Sequence, residues 1–528
     1  MGLETESDNI DEVNYEQVQV LNNVLENKIG FGKYQIKVLS VVSFLDFNDG
    51  TVFIILSLIM PIIKNEFKGP QNESLIEFIG TSYFIGMVFG SFISGYFSDK
   101  YGRRSVMQWC SLGYAIICIY SLFITNVYEI VIQEFLYGIN FSLTIPLSTT
   151  MYTEISPKIW RSKGVMIINL SITLGQLYSI FLASMILDDI NHGDWRKLVA
   201  FQAIQGLIVW FGATFLLYES PRYLMQHQKI EEAILVLNGM IEQNNQAKGN
   251  KENPKNIILI SEEERAQLLY QNEQNSMKEK NDEKKSEFHK AIIHVVHLFA
   301  PKYLIITTFL GLIHALITIV CIGLIFTFPT MLKENNFSSF LNISLICFGE
   351  FPAFFIISYL TKRGIGRKNS LILFSVIISL STIVMYFDLA LIVPFFICCF
   401  CYRSFYILLF TYVNEVYPTA LRSIGMGVNN AISRIGATLV PLIVLRLFEK
   451  NIHYPFLLFF FVGIAMALLA SGLPYETAHI GLDESIVTAQ NKEDIKDSQN
   501  KKIKIQQDSQ SIEMEELEKI SKNIIISA

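Results

Sequence analysis

Residues 154–164 read EISPKIWRSKG and residues 415–425 read EVYPTALRSIG. Both follow E-x-x-P-x-x-x-R-x-x-G, with Glu154, Pro157, Arg161 and Gly164 in the first copy and Glu415, Pro418, Arg422 and Gly425 in the second. The step from Glu154 to Glu415 is 261 residues, and a second pair of motifs, YGRRS with Gly102 and IGRKNS with Gly366, recurs at a step of 264. Two different motifs repeating at nearly one period mean that one structural unit is used twice. The period is far longer than that of a helical solenoid.

The unit belongs in a membrane. Of 528 residues 51% are hydrophobic and only 17% charged, where soluble domains carry about a quarter charged; mean hydropathy is positive. About twenty apolar residues cross the hydrocarbon core as a helix. Twelve candidates meet that length, at approximately 38–63, 77–97, 105–125, 127–150, 164–187, 197–218, 302–325, 338–360, 370–387, 390–411, 424–447 and 454–473. The expected organisation is a tail (1–37), a six-helix half (38–218), a polar central loop (219–301), a second six-helix half (302–473) and a second tail (474–528). The loop contains an amphipathic stretch, KIEEAILVLNGMI (229–241), followed by the solvated run KEKNDEKKSE (278–287). The fold class read from this is an all-α membrane protein of twelve transmembrane helices.

Orientation follows from the short loops. With both termini in the cytoplasm, the inner loops hold Lys100, Arg103, Arg104, Lys158, Arg161, Lys163, Lys362, Arg363, Arg367, Lys368 and Arg422, about twice the cations of the outer loops. The acceptor triplets at Asn72 and Asn336 then fall outside. The first apolar run starts only near Val38, behind a polar head, so no cleavable signal is expected. The seven cysteines all lie in apolar stretches, which indicates neither a disulfide framework nor a metal site. A net charge of −6, carried mostly by the tails, points away from nucleic acid. No phosphate-binding glycine loop is present, so neither an enzyme nor an ATP-driven pump is expected, and no cofactor is called for.

Gly95, Asp99, Lys100, Gly102, Arg103 and Arg104 fit G-x-x-x-D-[RK]-x-G-R-[RK], between the second and third spans. This loop signature, with the duplication, resembles the major facilitator superfamily. The resemblance implies two six-helix halves with a substrate site between them near the midplane. It also implies a contact of Asp99 with the N-terminus of the eleventh helix that closes the cytoplasmic side. IGFGKYQIKVL (29–39), GEFPAFF (349–355) with Glu350, YESPRYL (218–224) with Glu219 and Arg222, and LPYET (473–477) narrow it to the synaptic-vesicle-protein-related and organic-ion-transporter branch. Two positions depart from the pattern. Arg363 stands where the second copy of the loop signature carries an aspartate, and Glu134, four residues before Gly138, stands where the family usually places an arginine.

Charges inside the spans are the candidate site. Asp46 and Asp49, spaced i, i+3 in LDFNDG (45–50), face one side of the first helix. Each costs about 2.5–3.5 kcal/mol at a helix centre, so the pair penalises insertion by about 6 kcal/mol unless hydrated or paired. Asp46 is roughly 12 Å from the inner end, too deep for a short side chain to reach water. A buried carboxylate pair can hold a proton between its members, as proton-coupled transport needs; attraction of a cationic substrate and structural pairing are the other readings. Glu134 and Arg403 are expected to end in salt bridges, and the question left open is whether Glu134 joins the aspartates or neutralises Arg403. Arg434 is a candidate for an anion or an acidic partner, His314 for a proton relay, and Tyr83, Gln176, Asn429 and Asn430 for substrate orientation or helix–helix bonding.

At the cytoplasmic ends, Glu154 with Arg161, Glu415 with Arg422, and Arg103, Arg367, Glu219 and Arg222 are expected to form a charge network between the halves that opens and closes as they rock. The function expected is secondary transport of a small organic ion or polar solute by alternating access, with protons as the coupling ion, by a monomer in the plasma membrane or a vesicle membrane. The alternatives are a transporter-shaped receptor or vesicle protein that no longer transports, and a passive uniporter.

Overall fold

The computed structural model describes residues 21–69, 72–187, 192–247, 298–299, 301–334, 340–362, 366–389, 392–417, 419–474 and 476. Among these, regular structure is helical throughout: α1 Lys33–Glu66, α2 Glu73–Tyr101, α3 Arg103–Tyr120, α4 Val127–Ile155, α5 Lys158–Ile186 and α6 Trp195–Phe215 build the first half. Two shorter helices follow, α7 Pro221–Gln226 and α8 Ile230–Ala247. The second half comprises α9 Pro301–Glu334, α10 Phe340–Phe348, α11 Phe351–Lys362, α12 Arg367–Tyr386, α13 Ile392–Val416, α14 Thr419–Lys450 and α15 Tyr454–Ser471. The solvated run at 278–287, Asn336 and Arg363 lie outside the described residues, as does the side chain of Arg422.

Eleven helices among the described residues are long and apolar enough to cross a membrane. The eighth expected span is instead two pieces, α10 and α11, separated at Gly349 and Glu350. Pro352 explains the break. It has no N–H to continue the ladder and sits in the first turn of α11, where that loss is harmless. Helix starts elsewhere follow local chemistry: Glu129 accepts from the Thr125 N–H at 2.7 Å to cap α4, and Asp194 accepts from the Lys197 N–H at 3.2 Å to cap α6.

Packing within the first half is backbone against backbone. A Cβ at Gly50 of α1 would lie 2.0 Å from the Ile172 carbonyl oxygen of α5, and one at Gly138 of α4 would lie 1.9 Å from the Tyr83 carbonyl oxygen of α2. Only glycine permits that approach, the membrane solution where no hydrophobic drive pulls helices together. The two halves meet where α2 packs on α14, α5 on α10 and α1 on α9. Gly80 of α2 faces Pro441 of α14 and Phe326 of α9, toward the end of the bundle opposite Gly102. The end carrying Gly102, Arg161 and Arg367 is called the basic end below.

α8 is the expected amphipathic helix. Leu237, Met240 and Ile241 are buried beside the segment that precedes α1. Asn244 fixes that segment: its Oδ1 accepts from the Tyr34 N–H at 2.9 Å, and its Nδ2 donates to the Ile29 carbonyl at 3.1 Å and Gln35 Oε1 at 2.8 Å.

Candidate functional site

Asp46 and Asp49 are both buried in the middle of α1. Thr144 of α4 donates to the Asp49 carboxylate, with its Oγ1 at 3.0 and 2.9 Å from the two oxygens. Ser148, one turn further along α4, serves Asp46, whose Oδ1 has no hydrogen-bond partner. The cation nearest in kind comes from the other half. Arg434 of α14 lies over the Phe141 ring at 5.5 Å and within electrostatic reach of Asp49. The Asp49 carboxylate of one half is therefore within electrostatic reach of a guanidinium of the other.

The second half neutralises its own buried charge. Glu350, at the break between α10 and α11, accepts from Arg403 Nε at 2.7 Å and forms a salt bridge to Arg403 Nη2. Tyr402 donates to its other oxygen. Thr173 of α5, from the first half, donates to Glu350 Oε2 at 2.7 Å and accepts from Arg403 Nη2 at 3.2 Å. Arg403 is thus paired, as expected, but not by Glu134. Glu134 is 4% exposed, and its Oε2 has no hydrogen-bond partner. Among the described residues it forms no salt bridge, because α4 presents it to α2 and α3 rather than to α13.

His314 of α9 is buried, with Nδ1 3.1 Å from the Leu310 carbonyl of its own helix and its ring edge-on to Phe410 at 5.6 Å. A carbonyl only accepts, so Nδ1 carries the hydrogen. Gln176 and Asn429 are buried, and Asn429 donates to the Gly425 carbonyl at 2.8 Å.

At the basic end the charge network exists, and among the described residues each cluster closes within its own half. Arg103 Nη2 lies 3.2 Å from Glu154 Oε1 and 3.3 Å from Asp99 Oδ1. Glu219, after α6, accepts from the N–H groups of Arg103 at 2.9 Å and Arg104 at 3.1 Å, capping α3. Gly102, with φ +90°, makes the turn into that cap. Arg104 donates to the Ala213 carbonyl at 3.0 Å and so caps the end of α6. Ser220 donates to Glu154. The second half repeats the arrangement. Arg367 Nη2 lies 3.2 Å from Glu415 Oε1, and Glu476, after α15, accepts from the Arg367 N–H and, at 3.1 Å, from the Lys368 N–H.

Several expectations change here. Asp99 is 69% exposed on its side chain, and its ion pair among the described residues is with Arg103 of its own segment. Arg161 does not pair with Glu154; Arg161 Nη2 and Arg222 Nη2 both donate to Asn22 Oδ1, at 3.1 and 2.8 Å. Burial lowers the Arg222 pKa from its ordinary value, nearby Glu154 opposes that shift, and its Nε finds no acceptor. Gly95 lies in open space, and Lys100 is exposed and hydrogen-bonded to the Tyr96 hydroxyl at 2.8 Å. Glu476, Thr173, Thr144 and Tyr402 were not singled out from sequence as site residues. For Glu476 a signal existed, since LPYET follows α15 as YESPR follows α6.

The model of the Major Facilitator Superfamily matches residues 39–441 and 311–485. The chain is 24% identical over 483 residues to the synaptic vesicle 2-related protein of Xenopus laevis, covering 87% of this chain and 81% of that one. It is 25% identical over 489 residues to organic cation/carnitine transporter 7 of Arabidopsis thaliana, covering 87% and 95%. Its fold is similar to the partially occluded inward-open form of the xylose transporter XylE from E. coli, with TM-score 0.64 and 18% identity over 85% of this chain and 99% of that chain. A multi-pass membrane protein of twelve spans in two like halves, this chain belongs to the Major Facilitator Superfamily, a family of transporters and not of enzymes.

Proposed function

We propose that the chain is a secondary transporter of a small organic ion or polar solute, working by alternating access and driven by protons. The observation that carries this is the buried Asp46 and Asp49 pair, with Asp49 within electrostatic reach of Arg434 on the opposite half. With Asp49 ionised, attraction to Arg434 draws the halves together at the midplane; a proton on the pair removes it, so proton loading changes the balance between the two arrangements. The moving units are residues 38–218 and 302–473, the basic end faces the cytoplasm, and the functional unit is a monomer in the plasma membrane or a vesicle membrane. Contacts of Gly80 with Pro441 and Phe326 at the opposite end, with Asp99 exposed at the basic end, support an inward-facing arrangement.

The test is uptake into proteoliposomes under an imposed pH gradient, screening organic cations, organic anions, nicotinate-like acids and sugars. Organic cations come first because a relative is named for transporting them. An inward proton gradient should raise uptake of one class, and Asp49→Asn should lower that driven uptake by about tenfold, equivalent to about 1.4 kcal/mol. Uptake indifferent to the gradient would remove proton coupling. No uptake of any class by correctly folded protein would favour a receptor.

A further inference from the structure

Glu134 has no part in that cycle, yet it is buried in the same half. The titratable groups that face it are Tyr83 from α2, Cys118 from α3 and Tyr137 one turn along α4. None of these is a cation, and Tyr137 directs its hydroxyl to Cys118 Sγ at 3.2 Å rather than to Glu134. Among the described residues Oε2 has no donor and none of the titratable groups facing the carboxylate is a counter-charge, a place that an ionised carboxylate tolerates poorly and a neutral carboxyl far better.

Its level in the bundle separates it from the aspartates. Glu134 is seven residues on from Val127, the first residue of α4, about 10 Å along the axis, while Thr144, the partner of Asp49, is about 26 Å along it. Tyr83 stands between these levels. Its carbonyl lies against Gly138, its ring is 5.9 Å from that of Phe141, and its phenol is within electrostatic reach of Glu134, Asp49 and Arg434.

We propose that Glu134 is a second proton-holding site, distinct from Asp46 and Asp49 and nearer the end opposite the basic end. It takes one proton from solvent at that end, forming one O–H bond on its carboxylate, so the first half holds protons at two levels. The use of that proton in transport rests on the proton-coupled reading above; the existence of the site does not.

Infrared spectroscopy tests it without a substrate. The full chain, reconstituted in phosphatidylcholine and phosphatidylglycerol vesicles, is titrated in H2O and D2O while the C=O stretch of protonated carboxyls is followed. Glu134→Gln should lose one deuterium-sensitive band that the Asp46→Asn, Asp49→Asn double variant retains, and Glu134→Asp should keep that band at a displaced position. Spectra of Glu134→Gln that superimpose on the wild type throughout the titration would overturn the proposal. Should Glu134→Gln fail to fold, an undisplaced band in Glu134→Asp would overturn it equally. If the double aspartate variant changes no band while Glu134→Gln removes one, the Glu134 site stands and the role given to the aspartate pair falls.

Discussion

The two halves are alike at the basic end and unlike at the midplane. At the basic end, Arg103 with Glu154 and the Glu219 cap on α3 have counterparts in Arg367 with Glu415 and the Glu476 cap on α12. At the midplane the first half buries Asp46 and Asp49 with only hydroxyl partners of its own, and it leaves Glu134 Oε2, nearer the opposite end, with none among the described residues, while the second half buries Glu350 against Arg403. A duplicated frame thus keeps the bonds that shape each half and lets the centre diverge. The charge imbalance across the seam, rather than either half alone, is where coupling chemistry can arise.

The largest break in the comparison should come from Arg403→Met. Removing one partner of a buried ion pair costs about 3–5 kcal/mol, to be read from thermal unfolding in detergent, and adding Glu350→Gln should recover more than half. A double variant no more stable than the single would show that Glu350 is not what Arg403 neutralises. Next comes Gly102→Ala. Its φ of +90° with ψ 157° is a glycine conformation, and an added Cβ would lie 2.4 Å from Glu219 Oε2; the backbone strain alone is about 1–3 kcal/mol. Gly366→Ala should cost less, because its φ of −54° suits any residue and only the 2.3 Å approach to Glu476 Oε2 must relax. Equal losses in the two would mean that backbone strain is not what distinguishes the turns.

Glu219→Gln and Glu476→Gln should each weaken a helix cap by about 1 kcal/mol. Matching losses in chemical denaturation would sharpen the likeness of the halves, and a loss at Glu219 alone would confine it to geometry. The smallest effect expected is that of Thr173→Val, about 0.5 kcal/mol, since one hydroxyl leaves a network that keeps its ion pair. A loss as large as that of Arg403→Met would place the weight of this network on the hydroxyl.

The fold was legible because hydrophobic length and a repeated motif are properties of the chain itself. The E-x-x-P-x-x-x-R copies announced two equivalent halves, and α1 to α6 fall where the apolar runs lie. The site was legible only as far as charge in a span is conspicuous. Asp46, Asp49, Arg403 and Arg434 stand out against lipid, but their partners do not: Thr144, Thr173 and Tyr402 are ordinary membrane residues until helix rotation brings them to a carboxylate. Arg403 and Glu134 look like a pair in sequence because charge is visible there and distance between helices is not. The proline after Glu350 is itself a signal, since an acid beside a helix break is free of the regular ladder and able to face inward. The basic-end residues were recognised as charged and mutually complementary, but their closure within each half depends on the return of the chain after α6 and after α15.

The glycine contacts inside the first half limit where movement can be observed. Gly50 against Ile172 and Gly138 against Tyr83 leave no side chain between the two main chains, so no rotamer change can absorb sliding there. A pair of spectroscopic labels on α2 and α4 should therefore read a single narrow distance under all conditions. One label on α2 and another on α14, near the level of Asp99, should read a distance that broadens or splits as protons are supplied, which makes the rigid pair the ruler against which the mobile one is calibrated.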